Sequence, residues 1–233
     1  MKKCITILIG LIPMYALTAQ TPFAQCLRAD VDLGYTLSPA DGDFGENVNA
    51  PGFGVGMDYC LGTAQLRFVA SPFIFMWQGK DLADMKSFYK TRDFTLTAYN
   101  GGTYYSSGVL FGLHYAFKRA IPDKLPVVTT TLQYGFQASN LPETEATYNS
   151  AEADGIIQRS SAAKGFGTAL RLGVGMDVLK SGNTIYHVGL SYRREASDIA
   201  HDVTSNIAVA QTEIFQWRTN TLMLNLGATF ALN

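Results

Sequence analysis

The amino-acid sequence predicts an all-β protein, an eight-stranded antiparallel up-and-down transmembrane β-barrel. Two patterns predict it: eight segments alternate apolar residues with polar or small ones, and the links between them are alternately short and long. The alternation has the period of a strand, and the links are typical of barrels with tight turns on one side of a membrane and long loops on the other. The composition agrees, because only 16% of the residues are charged, against about 25% in soluble domains.

The beginning of the chain is typical of an export signal. Lys2 and Lys3 precede an apolar run over 5–17 that is too short to span a bilayer as a helix. We predict cleavage after Ala19, which divides the chain into a signal peptide over 1–19 and an outer-membrane β-barrel domain over 20–233. Because no later apolar run reaches the length of a transmembrane helix, the remaining chain is expected to enter a membrane only as strands.

The first predicted strand is the most regular. Over 27–38, odd-numbered residues are apolar and even-numbered residues are polar or small, whereas a helix would need apolar residues spaced by three and four. Similar alternation, noisier in three of the segments, predicts seven more strands. The eight predicted strands are 27–38, 52–62, 65–76, 105–118, 128–139, 166–180, 185–197 and 222–233.

The links between these strands fall into two classes. Three are short, at 62–63, 119–124 and 181–184. The four that alternate with them are long, at 39–50, 79–103, 141–165 and 200–218. Short periplasmic turns and long external loops are the layout of outer-membrane barrels. We therefore expect the long links to be external loops and to carry any binding surface.

The polar face of the strands is expected to line the lumen. A charge that faces lipid at mid-depth costs about 2–4 kcal/mol, whereas a charge in the lumen can be paired. The apolar face is unbroken in the regular strands, while the other face carries charges and many glycines. The predicted lumen charge network consists of Arg28, Asp30, Asp32, Asp58, Arg67, His114, Arg171, Asp177, His187, Arg193 and Glu195.

We expect these charges to pair with one another. The turn registers place Asp58 near Arg67 and Asp177 opposite His187 on neighbouring strands. Such pairs make charges tolerable in a low-dielectric interior. Since an eight-stranded barrel has room for side chains and little else, a salt-bridged filling is the expected outcome. A gated ion path or a buried site in the lumen is the alternative.

Two cysteines, Cys26 and Cys60, fall on the inward face of neighbouring strands at the periplasmic end. Disulfides form in the oxidising compartments outside the cytoplasm, so this pair is a candidate disulfide, which a register shift of one or two residues would prevent. Because no third ligand lies beside the two thiols, we expect no metal site, and we expect no cofactor.

No catalytic residues are predicted. A barrel enzyme acting on lipid would need a nucleophile and a base on the membrane-facing rim. Of the three histidines, His114 and His187 are expected to point inward, and His201 is expected in the last external loop. His201 precedes Ser205 by four residues, whereas lipid A deacylases place the two residue types two apart on a strand. We therefore expect a barrel that is not an enzyme.

The stretch over 66–80 reads LRFVASPFIFMWQGK. It resembles the third strand, and its exit into a loop, of the PorT-like family of small eight-stranded outer-membrane barrels of Gram-negative bacteria. The Ala19-Gln20 junction and the strand over 224–230 are similar too, and the whole mature chain resembles this group in pattern. The resemblance implies a location in the outer membrane and a role as an accessory barrel of a protein-export machine.

The balance of charge excludes one class of partner. With 18 basic and 19 acidic residues, the chain has no basic field that would attract nucleic acid. The expected partners are outer-membrane lipid and lipopolysaccharide, with a protein partner at the external loops as a further candidate. The expected function is that of a non-enzymatic outer-membrane barrel whose external loops contact a surface partner. The alternatives are an accessory barrel of protein export, a lipid-modifying outer-membrane enzyme and a narrow channel.

Overall fold

The computed structural model describes residues 24–37, 43–63, 65–90, 94–117, 125–150 and 153–232. The predicted signal peptide over 1–19 lies outside the described residues. Most of the described chain is in β-strands. The elements in chain order are β1 (Ala24–Leu37), α1 (Phe44–Asn47), β2 (Val48–Gly62), β3 (Leu66–Gly79), α2 (Leu82–Lys90), β4 (Thr95–Asn100), β5 (Thr103–Ala116), β6 (Val127–Leu141), β7 (Thr144–Asn149), β8 (Ile156–Ser160), β9 (Ala163–Ser181), β10 (Thr184–Ser205) and β11 (Gln211–Leu232).

Eight strands close into a ring, and the predicted barrel is thereby confirmed. The order around the ring is β1, β2, β3, β5, β6, β9, β10 and β11, and β11 pairs with both β10 and β1. Every pairing in the ring is antiparallel. Closure leaves the ring without a free edge, so each strand satisfies its backbone hydrogen bonds with its neighbours, as a strand inside a membrane must.

The ring closes with a stagger between its strands. Following directly paired residues from Tyr35 on β1 through β11 and the rest of the ring leads back to β1 at Gln25, ten residues earlier. Such a stagger tilts the strands and, with eight strands, gives an interior just wide enough for side chains. The inward residues of different strands therefore meet near the barrel axis.

The outward face of the ring is apolar and exposed. On β1, Val31, Leu33 and Tyr35 are 40%, 48% and 56% exposed, whereas Asp30 and Asp32 on the opposite face are 3% and 2% exposed. The other ring strands also carry exposed aliphatic and aromatic side chains. Monomeric soluble proteins rarely expose an apolar surface of this extent, whereas an outer-membrane barrel turns such a face to lipid.

The described short links are tight turns. At the β2–β3 turn the backbone N–H of Thr63 donates to Leu66 O at 2.9 Å. β9 and β10 are joined by Gly182 and Asn183 alone, and Gly182 has a φ of +57°. Two-residue hairpin turns require this left-handed conformation, which glycine adopts without strain. The third predicted short link, 119–124, lies outside the described residues.

The long links are more ordered than the sequence analysis predicts. The prediction of a loop over 200–218 is wrong, because β10 and β11 continue through it and leave a loop only at 206–210. The apolar alternation is weak there because strands that have left the membrane no longer need an apolar outward face. The predicted loop over 79–103 contains α2 and β4, and the predicted loop over 141–165 contains β7 and β8.

The strands outside the ring form a second sheet, which we name the external sheet. It consists of the outer ends of β11 and β10 (211–217 and 198–205), followed by β8, β7 and β4. Helix α2 packs on it, because Met85 joins Leu96 and Ala146 in a buried apolar cluster. The external sheet is thus continuous with the barrel wall and has a small core of its own.

No helix in the described part of the chain has the length and apolar character needed to cross a membrane.

Candidate functional site: a filled lumen and an external cavity

The inward face of the ring carries the predicted lumen charges. Of the eleven predicted residues, Arg28, Arg67 and Asp177 are half-buried and the other eight are buried. They come from β1, β2, β3, β5, β9 and β10. Because a buried charge is costly unless it is paired, the contacts of these residues decide whether the lumen is a path or a packed interior.

One group of charges lies around Asp30. Asp30 Oδ1 is 3.0 Å from Arg28 Nε and 2.5 Å from His187 Nε2. Arg28 Nε also lies 4.0 Å from Asp58 Oδ2, and Arg28 and Asp58 are direct register partners. These four side chains come from three strands, so the group ties β1, β2 and β10 together across the lumen.

Arg67, the predicted neighbour of Asp58, borders the same small lumen cavity as Asp58. The turn register pairs Arg67 with Gly62, and Arg67 Nη1 donates to Cys26 Sγ at 3.5 Å. The direct register partner of Asp58 is Arg28.

His187 also has a different partner from the one that the turn register suggests. Asp177 does lie opposite His187 in register, where a β-bulge interrupts the β9–β10 ladder. The His187 ring nevertheless contacts Asp30 on β1, on the far side of β11. Contacts of this kind, between strands that are not neighbours, cannot be read from a turn register.

A glycine on β11 leaves room for the contact between His187 and Asp30. Gly227 is the register partner of both residues. A Cβ atom at Gly227 would overlap Asp30 Oδ1 and His187 Cε1. The absence of a side chain at this position therefore permits the contact.

We expect Gly227→Ala to lower the free energy of unfolding by roughly 1–3 kcal/mol, because overpacking forces neighbouring side chains or the strand to move. Gly56→Ala is the matched control. Gly56 is the register partner of Asp30 on β2, and a Cβ atom there would have only Pro72 O nearby, at 3.7 Å. Urea-dependent unfolding in phospholipid vesicles measures both variants. Equal stability of the two variants would contradict the packing described for Gly227.

A second group lies around Asp32, one inward position further along β1. Arg171 Nη2 is 3.6 Å from Asp32 Oδ1, and Asn225 Nδ2 donates to the same oxygen at 2.6 Å. Arg171 Nε donates to Ser191 Oγ at 3.4 Å. The group around Asp32 therefore joins side chains from four strands, β1, β9, β10 and β11.

A third group consists of Arg193 and Glu195, which are 2% and 1% exposed. Glu195 Oε1 is 2.9 Å from Arg193 Nε and accepts a hydrogen bond from Ser106 Oγ at 3.0 Å. Glu195 Oε2 accepts from Trp217 Nε1 at 3.2 Å and from Thr219 Oγ1 at 3.5 Å. The carboxylate thus receives partners from β5, β10 and β11, which compensates for its removal from water.

Arg193 also lies against aromatic rings. Its guanidinium carbon is 4.8 Å from the ring centre of Phe73, 4.4 Å from that of Phe75 and 5.9 Å from that of Trp77. Cation–π contacts within about 6 Å stabilise a desolvated guanidinium. Arg193 therefore joins the charged part of the lumen to an aromatic part.

The aromatic part of the lumen is absent from the sequence-based prediction. Phe44 of α1 lies with its ring centre 5.1 Å from that of Trp77 and 4.6 Å from that of Trp217. The two tryptophan rings are 5.6 Å apart, and Tyr104 contacts the same group. We name Phe44, Trp77, Tyr104 and Trp217 the aromatic plug. All four are nearly inaccessible to solvent, so α1 and three ring strands close the outer end of the lumen.

A signal for part of this plug exists in the sequence. Phe73, Phe75 and Trp77 occupy alternate positions on the face of β3 that the polar residues define elsewhere, and all three are buried in the lumen. Three aromatics in a row on a predicted polar face indicate a packed interior rather than a wet one. Nothing in the sequence places Phe44 in the lumen, because it comes from a long link.

The two cysteines lie directly opposite each other. Cys26 and Cys60 are register partners on β1 and β2, both are buried, and both are free thiols in the structure. Val69 packs against them. The register that the candidate disulfide requires is present, and the disulfide itself stays a prediction.

Open space in the molecule lies outside the membrane ring. Two lumen cavities, both bordered by Arg28 and Asp58, have volumes of only about 10 and 20 Å³, room for about one water molecule each. Three cavities in the external part have volumes of about 290, 270 and 420 Å³. Within the described residues the lumen is therefore packed, and the three larger cavities lie among the external elements.

The cavity of about 290 Å³, which we name the external cavity, lies where the external sheet meets the mouth of the ring. Its walls include Asp43, Glu46, Tyr99, Tyr104, His201 and Glu213. The prediction that His201 lies in a loop is wrong, because His201 is on β10 and faces Glu213 on β11.

Among proteins of known structure, several outer-membrane barrels resemble this fold. The attachment invasion locus protein Ail of Yersinia pestis, solved with the heparin analogue sucrose octasulfate, is 13% identical over 90% of this chain and 100% of its own, with a TM-score of 0.45. A major outer membrane protein of Thermus thermophilus is 12% identical over 89% of this chain and 99% of its own, with a TM-score of 0.46. No protein-family model and no curated protein matches the sequence.

The expectation that the chain is not an enzyme requires correction. The similar structures also include the outer membrane protease OmpT of Escherichia coli, at 8% identity over 92% of this chain and 98% of its own, with a TM-score of 0.32. The failure of one histidine–serine spacing was too narrow a basis for excluding catalysis.

The closed ring, its apolar outer face and its polar, tightly packed interior define the class of the molecule. A soluble barrel would bury the apolar face and expose the polar one, the reverse of what these strands do. The chain is a small integral β-barrel protein of the outer membrane.

Proposed function

We propose that this protein acts at the cell surface, binding a ligand or partner with its external part, while its lumen serves as a rigid, closed support. One observation carries the proposal: the lumen cavities hold about 10 and 20 Å³, whereas the external cavities hold about 290, 270 and 420 Å³. Ligand pockets usually enclose about 300–1,000 Å³. Only the external cavities approach that size.

The order of the external part supports the same proposal. β10 and β11 carry the barrel wall outward without interruption, and β8, β7 and β4 extend it sideways. A binding surface built on strands keeps its geometry better than one built on unstructured loops. The expected partners, lipopolysaccharide or a surface protein, would meet this part of the molecule first.

A channel function is disfavoured by the packing of the lumen. The aromatic plug closes the outer end, and the charge groups around Asp30, Asp32 and Glu195 fill the remainder with paired side chains. A conducting path would need continuous space for ions and water, which cavities of one water each do not supply.

The role in protein export stays an alternative that rests on the resemblance of 66–80 to PorT-like barrels. In the structure this stretch forms β3, whose Phe73, Phe75 and Trp77 pack the lumen. The stretch that carries the resemblance therefore has a packing role inside the barrel. This favours the surface-binding proposal over a role in export. The proposal includes export by a signal peptide over 1–19 and a barrel domain over 20–233.

Conductance in planar lipid bilayers tests the proposal. We expect the purified chain to insert without steady ion conductance, because the plug and the paired charges leave no continuous path. An open porin reconstituted in the same way is the control for insertion and detection. A stable conductance from the wild-type chain would contradict the closed lumen and favour a channel.

A further inference from the structure

The outward face of the ring changes from apolar to polar at the same point on two neighbouring strands. On β11 the outward residues are apolar from Leu232 to Leu222, which is about 34 Å along the strand. At a tilt near 40° this run spans about 26 Å, close to the height of the apolar band of outer-membrane barrels. The apolar run on β10 ends at Tyr192, the register partner of Leu222. The outer edge of the lipid-facing band therefore lies at this pair.

The next outward residue on β10 is an arginine without a partner. Arg194 is exposed, and it has no ion pair or hydrogen bond with another described residue. Its outward neighbours Tyr192, Ala196 and Leu170 carry no negative charge, and its register partner on β11 is Asn220. A long basic side chain at the end of an apolar band extends its charge into the headgroup region. All five guanidinium N–H donors of Arg194 are therefore available there.

Asn220 adds donors beside Arg194. Tyr192 OH donates to Asn220 Oδ1 at 2.6 Å, and this bond fixes the orientation of the amide. The Nδ2 group of Asn220 has no acceptor among the described residues. Because directly opposed residues have Cβ atoms about 4.5–5.5 Å apart, the guanidinium and the amide can contact one group. Two sets of donors without an acceptor fit the oxygens of an anion.

A second arginine raises the positive charge at this place. Arg218 lies one outward position further along β11, opposite Ala196, and outward neighbours on such a diagonal are about 7–8 Å apart. Arg218 Nη2 is 2.6 Å from Asp198 Oδ1, and Arg218 Nη1 donates to Ser197 O at 2.7 Å. One of the two guanidinium charges thus has a counterion in the protein. The charge of Arg194 does not.

The positive charge is confined to one side of the barrel. Lys164, Arg194 and Arg218 lie on the outward face of β9, β10 and β11, which are neighbours in the ring. On the other five ring strands, outward residues near the outer end are uncharged: Leu37, Pro51, Gln78, Thr103 and Ala138. A general need for cations at the membrane surface would not select three adjacent strands. The localised charge instead favours a localised anion.

We propose that Arg194 and Asn220 bind a phosphate group of lipopolysaccharide in the outer leaflet of the membrane. The planar guanidinium binds two phosphate oxygens at once, and Asn220 Nδ2 donates to the same group. Tyr192 positions the amide, and Arg218 adds electrostatic attraction. These residues border none of the three external cavities. The lipid site is therefore additional to the proposed surface function.

Native mass spectrometry of the full chain in a neutral detergent, titrated with lipid A, tests the inference. We expect saturable binding of one lipid A molecule and a dissociation constant at least fivefold higher in Arg194→Gln. Arg194→Lys keeps the charge and should lose less affinity, and Asn220→Leu should lose at least twofold. Lys180→Gln is the matched control, because Lys180 is an exposed cation at the opposite end of β9. It should bind as the wild type does.

Three results would overturn the inference. They are absence of saturable binding to the wild type, an equal loss in Arg194→Gln and Lys180→Gln, and equal affinity for dephosphorylated lipid A or for phosphatidylglycerol. Arg194 and Lys180 are both exposed, and an unshifted folded band on unboiled gels shows that each variant barrel is intact. The outcome is independent of the conductance experiment, because no residue of the lipid site faces the lumen.

Discussion

Replacing Glu195 with alanine is expected to destabilise the barrel by about 3–5 kcal/mol, the usual result of removing one partner of a buried ion pair. Arg193, 2% exposed, would keep its charge and lose the carboxylate 2.9 Å from Nε. Ser106 and Trp217 would lose the acceptor for their hydrogen bonds at the same time. Urea-dependent unfolding in phospholipid vesicles, followed by the folded band on unboiled gels, measures the loss.

Two further variants separate charge from packing at Glu195. Glu195→Gln retains an acceptor oxygen and should lose less stability than Glu195→Ala. The double variant Arg193→Met, Glu195→Leu removes both charges together and should regain most of the loss, because apolar pairs of similar volume often replace a buried ion pair without cost. If Glu195→Ala were as stable as the wild type, the pair would not be buried as the structure shows.

Replacing Trp217 with alanine is expected to cost about 3–5 kcal/mol, the range for large aromatic side chains in a packed core. The Trp217 ring is inaccessible to solvent and contacts Phe44 and Trp77. The variant would leave a cavity in the aromatic plug and would release α1 from the mouth of the ring. The same unfolding experiment gives the loss, and conductance in planar bilayers shows whether the mouth has opened.

Phe166→Ala is the control for the Trp217 variant. Phe166 lies on the outward face of β9 and is 83% exposed, so its removal takes little packing from the protein. Its loss is limited to the burial of the ring in lipid, about 1.5–3 kcal/mol, and should be smaller than that of Trp217→Ala. Trp217→Phe isolates the indole hydrogen bond to Glu195 and should cost about 1–3 kcal/mol. A loss in Trp217→Ala no larger than that in Phe166→Ala would contradict the aromatic plug.

The barrel is predictable from the sequence because its strongest constraint is local. A strand that separates lipid from a polar interior tends to alternate, as β1 does with Asp30 and Asp32 on one face and Val31 and Leu33 on the other. The period of two and the alternating link lengths therefore reveal the ring. They also place residues such as Arg193 on the polar face of the strands, since parity alone decides it.

The partners of the lumen residues are not predictable in the same way. His187 meets Asp30 from the far side of β11 because the stagger of the ring and the absence of a side chain at Gly227 bring them together. Phe44 enters the lumen from a long link, where no periodic pattern constrains it. The His187–Asp30 contact and the position of Phe44 both depend on how the ring closes in three dimensions. The pairing of neighbouring strands across turns does not predict that closure.

The order of the external part is hard to predict from the sequence for a related reason. Beyond the membrane, the outward face of β10 and β11 is no longer required to be apolar, so the alternation that reveals the ring strands fades at His201 and Glu213. The external cavity consequently assembles from segments that read as four unrelated loops.

The mobility of the protein from isolated outer membranes, with and without boiling in SDS, tests the central claim most directly. The account predicts a membrane-bound species that resists unboiled SDS and changes its mobility on boiling, because a closed ring of paired strands resists SDS until it is heated. A protein found in the soluble periplasmic fraction, without this change, would contradict it. The apolar face would then have to be buried inside, and the polar face exposed.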